Sequence, residues 1–421
     1  MVSSYIYVAL ERIIKSGSTF LTVILASRFL TKSEFGEYSY YIAIFTLFLP
    51  LGLFGLEGIL IRKFVCEKET DDLATLSFYL IGVFSIVASL IFIPVLYYFT
   101  DDGMRISYLI IVYFFQNILL YNYWFQAKQY FIYNFIAISL ASTIALIFKL
   151  IIAIYYPSIE NFCYIFVLES LLFYLFLSII NRKVNQKLNI CFFKLPDFKP
   201  ALILIKESIP LFLSGFIVII FNRVDQIMLM HLQDSQALAI YAVSAKVNEG
   251  LLLIPAIIMT VAYPKMIKAF GNSRNEGVIV AGSVIRKSIL ICISVFLFFL
   301  FFSNWFFTLV FSYEYRYSGE LFKIHSLTIL LASFGILATK LMIIESRQNL
   351  VFYANFLGLI LNITLNYVLI PIYSYWGAVI ATIITQMLTS VFVWFLLPNA
   401  KIVADTIKYA VGIKMKRNRT D

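Results

Sequence analysis

The sequence contains few charged residues. Only 13% of its 421 residues are charged, and 62% are hydrophobic, whereas a typical soluble domain carries about 25% charged residues. The mean hydropathy is +0.90. A soluble core cannot bury that much apolar surface. The shortage of charge therefore excludes a soluble globular domain and predicts a protein whose solvent is the lipid bilayer.

Cysteine and histidine are also scarce. The four cysteines lie far apart, with neither CxxC nor metal-ligand spacing: Cys66, Cys163, Cys191 and Cys292. This spacing excludes a disulfide framework and a zinc site. The only histidines are His231 and His325, and no GxxxxGK[ST] phosphate loop is present. We therefore expect no cofactor, no metal and no ATP hydrolysis by this chain.

The net charge of +10 does not indicate nucleic-acid binding. The basic residues are interleaved with long apolar runs, and phosphate tracking needs a contiguous basic face.

The N-terminal apolar run is interrupted by Glu11, Arg12 and Lys15 and has no small-residue cleavage site, so we expect a retained helix rather than a signal peptide.

Apolar runs of membrane-spanning length recur along the whole chain. Twelve are separated by charged, Pro or Asn clusters, at 6–27, 38–61, 73–99, 106–125, 132–155, 162–180, 203–230, 238–264, 288–311, 321–343, 350–371 and 376–397. Each is about the 20 residues that a helix needs to cross the hydrocarbon, which is twice what a membrane strand needs. The sequence predicts an all-α integral membrane protein of about twelve transmembrane helices.

The distribution of Lys and Arg orients these spans. The even-numbered loops and the C-terminal segment hold 22 of them, the odd-numbered loops hold five, and six lie inside the predicted spans. The positive-inside rule therefore places both termini in the cytoplasm. We expect a multi-pass membrane protein in this orientation.

The chain is predicted to consist of two halves. A polar connector around 181–202 follows the sixth span, which gives an N-terminal six-helix bundle at 1–195, a C-terminal six-helix bundle at 196–400 and a basic cytoplasmic tail at 401–421. Two pairs of similar segments occupy equivalent helix junctions. They are LTKSEFGEYSY with LQDSQALAIYAVS, and KQYFIYNF with RQNLVFYANF. Such repeats are typical of transporters, although short aromatic strings also match by chance in a sequence this rich in Phe and Tyr.

Several segments resemble the Wzx-like polysaccharide and O-antigen flippases of the multidrug/oligosaccharidyl-lipid/polysaccharide (MOP) exporter superfamily. They are ASRFLTKSEFGEYSY, YWFQAKQ, the run from IPLFLSGF to VAYPKM across spans seven and eight, and FLGLILNITLNYVLIPIYSYWGAVIAT. The resemblance covers nearly the whole chain in order. It implies two six-helix bundles around a central cavity, alternating access, and an undecaprenyl-pyrophosphate-linked oligosaccharide as substrate. The implied partners are that lipid-linked oligosaccharide, the bilayer and polysaccharide polymerase machinery.

The basic residues within spans are the candidate substrate-binding groups, because a lipid pyrophosphate needs fixed cations in a polar cavity. We single out Arg12, Lys15, Arg223 and Lys246. Arg12 and Lys15 belong to a polar stripe on the first helix, and we expect helices one and seven to face the cavity. The alternative is that Arg12 and Lys15 snorkel to anionic lipid at the interface.

The acidic residues within spans are candidates for ion coupling or charge pairing. They are Glu11, Glu57, Asp225 and Glu249. Arg223 and Asp225 are two residues apart, so each should find a partner on another helix, whereas Lys246 and Glu249 are three apart and can pair with each other. A pair between Lys149 and Glu169 is also conceivable, although no spacing in the sequence supports it.

Two other functions compete with flipping. An integral-membrane enzyme of surface-polysaccharide assembly, such as a polymerase or ligase, needs acid/base groups on external loops, yet the longest predicted external loop has about a dozen residues by the span count. A multidrug exporter of the same superfamily would favour an acidic cavity for its cationic substrates. Six in-span basic residues favour an anionic substrate instead.

Overall fold

The computed structural model describes residues 2–66, 70–99, 103–184, 188–191, 198–410 and 412, and the regular elements within these ranges are helical. The α-helices are α1 Val2–Phe29, α2 Lys32–Leu53, α3 Leu56–Cys66, α4 Thr70–Phe99, α5 Ile111–Phe114, α6 Leu119–Ala127, α7 Phe131–Tyr155, α8 Ile159–Lys183, α9 Phe198–Leu232, α10 Ser235–Leu251, α11 Leu253–Asn272, α12 Arg274–Val310, α13 Arg316–His325, α14 Leu327–Ile344, α15 Gln348–Tyr373, α16 Tyr375–Met387, α17 Val393–Leu396 and α18 Lys401–Ala410. 3-10 segments lie on both sides of α5 and directly before α13 and α18, and a π-helical turn joins α16 to α17.

The prediction of about twelve transmembrane helices is confirmed. Within the described residues, eleven helical segments are long and apolar enough to cross a membrane. The first predicted span corresponds to α1, a further helix of 28 residues. Several helices extend past the predicted spans, because polar and charged residues continue a helix beyond its apolar part. For example, α12 begins at Arg274, well before the predicted start at 288.

Four predicted spans are interrupted helices, and one of them is the fourth span, where α5 ends before Phe115 and α6 begins only at Leu119. The second breaks between α2 and α3, where Phe54 and Gly55 adopt φ angles of 44° and 71°. The eighth breaks at Leu252 and the tenth at Ser326. At the first break a Cβ on Gly55 would lie 2.6 Å from the Phe212 amide nitrogen and 2.8 Å from the Ser208 carbonyl oxygen. The break thus lets α9 approach closely, which only glycine permits.

The first pair of similar segments forms the same local structure in both halves. Thr31 caps α2 in a capping box with Glu34, and the Asp234 side chain caps α10 by accepting from the Ala237 N–H. A side-chain oxygen at the N-cap satisfies amides that the first helical turn leaves free. The similarity between these two segments therefore has a structural basis in helix capping.

The second pair of similar segments also forms the same kind of turn in both halves, but the similar residues lie at different positions relative to the turn. Gln129 and Ser346 adopt left-handed φ angles of 60° and 55°. The next amide in each turn bonds a carbonyl five residues back, from Tyr130 to Phe125 and from Arg347 to Met342. Both are Schellman-type helix ends. The left-handed residue is Gln129 in one half and Ser346 in the other. The residues that are alike in the two segments therefore do not occupy equivalent positions in the two turns.

The chain divides into two compact units, Met1–Arg223 and Val224–Asp421. Ala201 and Leu204 of α9 belong to the core of the first unit, so this division falls inside α9 rather than in the polar connector. The six-plus-six boundaries drawn at 195 and 400 remain a prediction.

Residues 401–410, predicted to begin a basic tail, form α18 in the second unit. Its apolar face, which includes Ile402, Val403 and Ile407, joins the core cluster that also contains residues of α11, α12 and α14. Arg286 of α12 donates to the Tyr409 and Ala410 carbonyl oxygens at 3.1 Å. The rest of the predicted tail, 411 and 413–421, lies outside the described residues.

Candidate functional site

The charged face of α1 lies in the first unit. Arg12 and Lys15 are exposed and Glu11 is half-buried. Among the described side chains, neither cation has a carboxylate oxygen within 4 Å, although Lys15 lies within electrostatic range of Glu11 on its own helix and of Glu57 on α3. This face therefore carries accessible cations with carboxylates nearby, and no close ion pair neutralises them.

Farther along α1, the polar stripe meets a buried ion pair. The Lys149 ammonium on α7 is fully buried and donates to Glu169 Oε2 on α8 at 2.7 Å, to Ser18 Oγ at 2.6 Å and to the Ser18 carbonyl at 3.1 Å. The other Glu169 oxygen accepts from the Ser18 and Ser142 hydroxyls at 2.5 and 2.9 Å. All three ammonium protons thus have acceptors, which fits a structural charge pair joining α1, α7 and α8.

Asp225 of α9 lies at the centre of a polar cluster in the second unit. It is 5% exposed and accepts from the Tyr241 hydroxyl at 2.6 Å and from Asn366 Nδ2 at 2.6 Å. The Thr382 hydroxyl lies 2.9 Å from Asp225 Oδ2. No Lys or Arg of the described residues pairs with this carboxyl group. Asp225 has therefore found partners on other helices, as its spacing from Arg223 required, but all of them are neutral.

The hydrogen bonds around Asp225 are incompletely satisfied, in donors as well as in acceptors. The single Thr382 hydroxyl proton faces both Asp225 Oδ2 and the Ala378 carbonyl, each at 2.9 Å, and it can serve only one of them. Asn366 Oδ1 is a buried acceptor without a hydrogen-bond partner, and Asn362 Nδ2 is a buried donor without one. The carboxyl, amide and hydroxyl oxygens of this cluster are of the kind that bind a proton or a small cation.

The described residues contain no group of three or more His, Cys, Asp and Glu that could hold a metal ion. The Asp225 cluster differs from such a group, because it offers one carboxyl group and neutral amide and hydroxyl oxygens. One negative charge among neutral oxygens suits a monovalent ion better than a divalent one, for reasons of charge balance.

The remaining in-span cations have different surroundings. Lys246 and Glu249 of α10 form an ion pair at 3.0 Å, as their spacing allowed. Lys340 of α14 lies over the ring of Tyr263 at 4.7 Å, which is a cation–π contact. Arg223 is half-buried on α9. The Lys246 charge is therefore neutralised by a carboxylate one helical turn away.

The partners of Asp225 were not singled out from the sequence. Asn362 and Asn366 are fully buried, and they lie one turn apart on α15 within an otherwise apolar span. Two amides at a spacing of four share one helix face. That spacing is the signal that could have identified them, whereas Thr382 and Tyr241 have no distinguishing pattern in the sequence.

The comparison with protein families now bears on these sites. A sequence model described as "Polysaccharide biosynthesis protein" matches residues 1–270, and a second, described as "MatE", matches residues 210–368. The chain belongs to the polysaccharide biosynthesis protein family. No curated protein matches the sequence.

Solved structures of low sequence identity share the fold. An inward-facing multidrug resistance MATE family transporter of the MOP superfamily is 13% identical, with a TM-score of 0.78 over 96% of this chain and 98% of that one. The lipid II flippase MurJ in an inward closed conformation is 14% identical, with a TM-score of 0.74 over 98% of this chain and 90% of that one. A MOP superfamily transporter from Pyrococcus furiosus, described as having a binding pocket of reverse polarity, is 15% identical, with a TM-score of 0.61 over 95% of this chain and 94% of that one.

These findings confirm the resemblance to the MOP superfamily and the membrane fold class. The chain is a multi-pass membrane protein with the fold of transporters and flippases, and its family is one of polysaccharide biosynthesis.

Proposed function

We propose that this protein is a flippase, not an enzyme, and that it moves an undecaprenyl-pyrophosphate-linked oligosaccharide from the inner to the outer leaflet of the bacterial inner membrane by alternating access. The observation that carries this proposal is the α1 face, where Arg12 and Lys15 are exposed with no carboxylate oxygen within 4 Å among the described side chains. In-span cations are costly in lipid, by about 2.5–3.5 kcal/mol each on insertion scales, and mark substrate pathways. An anionic head group is the ligand that they suit.

Arg12, Lys15 and Arg223 are proposed to bind the pyrophosphate, with Arg223 the most sensitive to replacement. A guanidinium can hold two phosphate oxygens at once, whereas an ammonium offers charge without that geometry. Lys246 is proposed as a weaker contributor, because its ion pair with Glu249 must open before the ammonium can bind substrate.

The test is complementation of a deletion strain, measuring surface glycan together with the amount of protein in the membrane. Arg223→Ala should retain little export and Arg223→Lys part of it, both at normal protein level. Arg62→Ala is the matched control, because Arg62 pairs with Glu207 on the surface and such pairs contribute about 0–1 kcal/mol. Normal export by Arg223→Ala, or glycan lost only in proportion to protein, would refute the binding role.

A second measurement separates flipping from an enzymatic role. In the deletion strain, lipid-linked repeat units should accumulate on the cytoplasmic leaflet, where they are protected from enzymes added to the outer face of spheroplasts. Unpolymerised units on the outer leaflet would instead indicate a polymerase or ligase.

Asp225 is proposed to bind the coupling ion, either a proton or sodium. Buried carboxyl groups at membrane depth commonly serve this purpose in transporters, and the hydrogen-bond partners of Asp225 are all neutral. Asp225→Asn keeps the shape but removes the ionisable group, so it should fold normally and stop export. Glu249→Gln, which alters the acid of the Lys246 pair, is the comparison variant.

The two coupling ions can be told apart in proteoliposomes. Export that collapses with a protonophore but not with sodium replacement indicates a proton, and the reverse result indicates sodium. Full activity of Asp225→Asn under either gradient would remove Asp225 from the coupling mechanism.

A further inference from the structure

A pocket of about 610 Å³ opens at the C-terminal end of α12, away from the end that contacts α18. Its walls come from α12, from the turn after it and from α13. The lining residues are Asn304, Trp305, Thr308, Leu309, Tyr313, Arg316 and Glu320. All of them belong to the second unit, and none takes part in the proposed transport mechanism.

Three polar side chains that line this pocket form no hydrogen bond of their own in the described part of the chain. Asn304, Thr308 and Glu320 form no side-chain hydrogen bond with the described residues, and Asn304 Oδ1 is buried without a partner. Polar groups left unpaired in a concave site are a recurring property of ligand pockets. The lining therefore offers both donors and acceptors to a ligand.

Arg316 is held in place by two tyrosines. Its guanidinium donates to the hydroxyl of Tyr313 and, at 2.8 Å, to that of Tyr317. It lies 4.9 and 4.7 Å from the centres of the two rings. Two of its five N–H donors are used in this way, and three remain for a ligand. A preorganised guanidinium with free donors suits a phosphate group.

Glu320 follows Arg316 by one helical turn, yet the two form no ion pair in the described structure. An Arg that precedes a Glu by four residues is the less favourable order for pairing on a helix, and the tyrosines already hold Arg316. The pocket thus presents one cation and one anion that do not neutralise each other. This pattern is complementary to a zwitterion, with an aromatic ring at Trp305 that can also face an ammonium group.

An apolar stripe leads from the pocket along α12 into the membrane-spanning part. Leu297, Phe301, Trp305 and Leu309 lie four residues apart and are exposed, Phe301 by 75% and Trp305 by 61%. The helix carries no charged residue after Lys287. A lipid chain can lie along this stripe, whereas a soluble zwitterion would leave it uncovered.

We propose that the pocket binds phosphatidylethanolamine, with the phosphate at Arg316, the ammonium at Glu320 and an acyl chain along the α12 stripe. Asn304 and Thr308 line the same pocket and supply N–H and O–H donors for the ester and phosphate oxygens. Trp and Tyr at the end of a span are the residues that favour the headgroup level of a bilayer. The site is separate from the binding and coupling residues proposed above.

Binding is tested with the purified full-length protein, delipidated and titrated with defined phospholipids under native mass spectrometry. The wild type should retain phosphatidylethanolamine at least about tenfold more tightly than phosphatidylglycerol or phosphatidylcholine, because one charge-assisted contact supports that ratio. Glu320→Gln should lose this preference while binding phosphatidylglycerol as before. Arg316→Gln should weaken binding of all three lipids, and Arg316→Lys should recover part of it.

Lys323→Gln is the matched control, because Lys323 is on the same helix but does not line the pocket. Elution as a single species and an unchanged Tm establish that each variant is folded. If the wild type binds phosphatidylglycerol as tightly as phosphatidylethanolamine, or if Glu320→Gln leaves their ratio unchanged, the zwitterion site is wrong. Equal lipid binding by the Arg316→Gln and Lys323→Gln variants would overturn the phosphate contact. If Arg316→Gln does not fold, lipid binding by Glu320→Gln still tests the ammonium contact.

Discussion

Removing one partner of the Lys149–Glu169 pair should destabilise the protein far more than removing both. The side chain of Lys149 is 1% exposed and that of Glu169 is 21% exposed, so the ammonium is the charge with less access to water. Breaking a buried pair on one side costs about 3–5 kcal/mol, whereas replacing both members by neutral groups is often close to neutral. The two single variants and the double variant therefore give distinct expectations.

Glu169→Gln leaves a fully buried ammonium without a counter-charge, and it should cost about 3–5 kcal/mol in the free energy of unfolding. Lys149→Met leaves a carboxylate that still accepts from the Ser18 and Ser142 hydroxyls and that is partly exposed. Its cost should be smaller, about 2–3 kcal/mol. The double variant should lie within about 1.5 kcal/mol of the wild type, because no charge is then left unpaired.

The assay is equilibrium unfolding of the purified protein in mixed micelles of a mild detergent and SDS, analysed as a double-mutant cycle. The surface pair Arg62–Glu207, with an N–O distance of 2.8 Å and side chains 65% and 34% exposed, is the control cycle. It should give a coupling energy of only about 0–1 kcal/mol. A double variant of the buried pair that is as unstable as Glu169→Gln, or single variants that each cost less than about 1 kcal/mol, would refute the reasoning.

Two further predictions follow from the topology and from the break in the second span. Cysteines introduced near Ser158, Gln236 and Tyr317 should react with impermeant thiol reagents from outside, while positions Lys187 and Lys416, which lie outside the described residues, should not. The reason is the 22 to 5 division of basic residues, and outside labelling at Lys187 would contradict it. Gly55→Ala should lower the Tm, because a left-handed Ala costs about 1–2 kcal/mol and its Cβ would meet the α9 backbone. Gly58→Ala, whose Cβ would meet only a Leu211 methyl at 4.0 Å, should be tolerated, and equal effects of the two substitutions would argue against the close approach.

The membrane fold could be predicted from the sequence because hydropathy dominates it. Every backbone group in lipid must be satisfied internally, so long apolar runs have one structural solution, the helix. The break after Leu53 was not predicted, because a left-handed residue such as Phe54 has no compositional signal. Gly55 was likewise indistinguishable from other glycines until the approach of α9 was known.

The charged sites were predictable only in part, for a related reason. Neighbours within one helix follow from spacing, which is why the Lys246–Glu249 pair could be anticipated. Partners on different helices depend on helix packing, which spacing does not encode. The surroundings of Asp225 therefore required the structure, although the fully buried amides of Asn362 and Asn366 lie at a spacing that marks a polar helix face.

Lys149 and Asp225 are both buried charges in membrane-spanning helices, but their surroundings differ. The Lys149 ammonium has three acceptors for its three protons, and one acceptor carries the opposite charge. The charge of this group is therefore balanced by a partner at hydrogen-bond distance. Asp225 has only neutral partners, among them Tyr241, Asn366 and Thr382. Because a buried charge without a counter-charge is costly, binding a proton or a cation lowers the free energy of the Asp225 cluster. A variant that neutralises both Lys149 and Glu169 should consequently keep transport, whereas any neutral residue at Asp225 should abolish it.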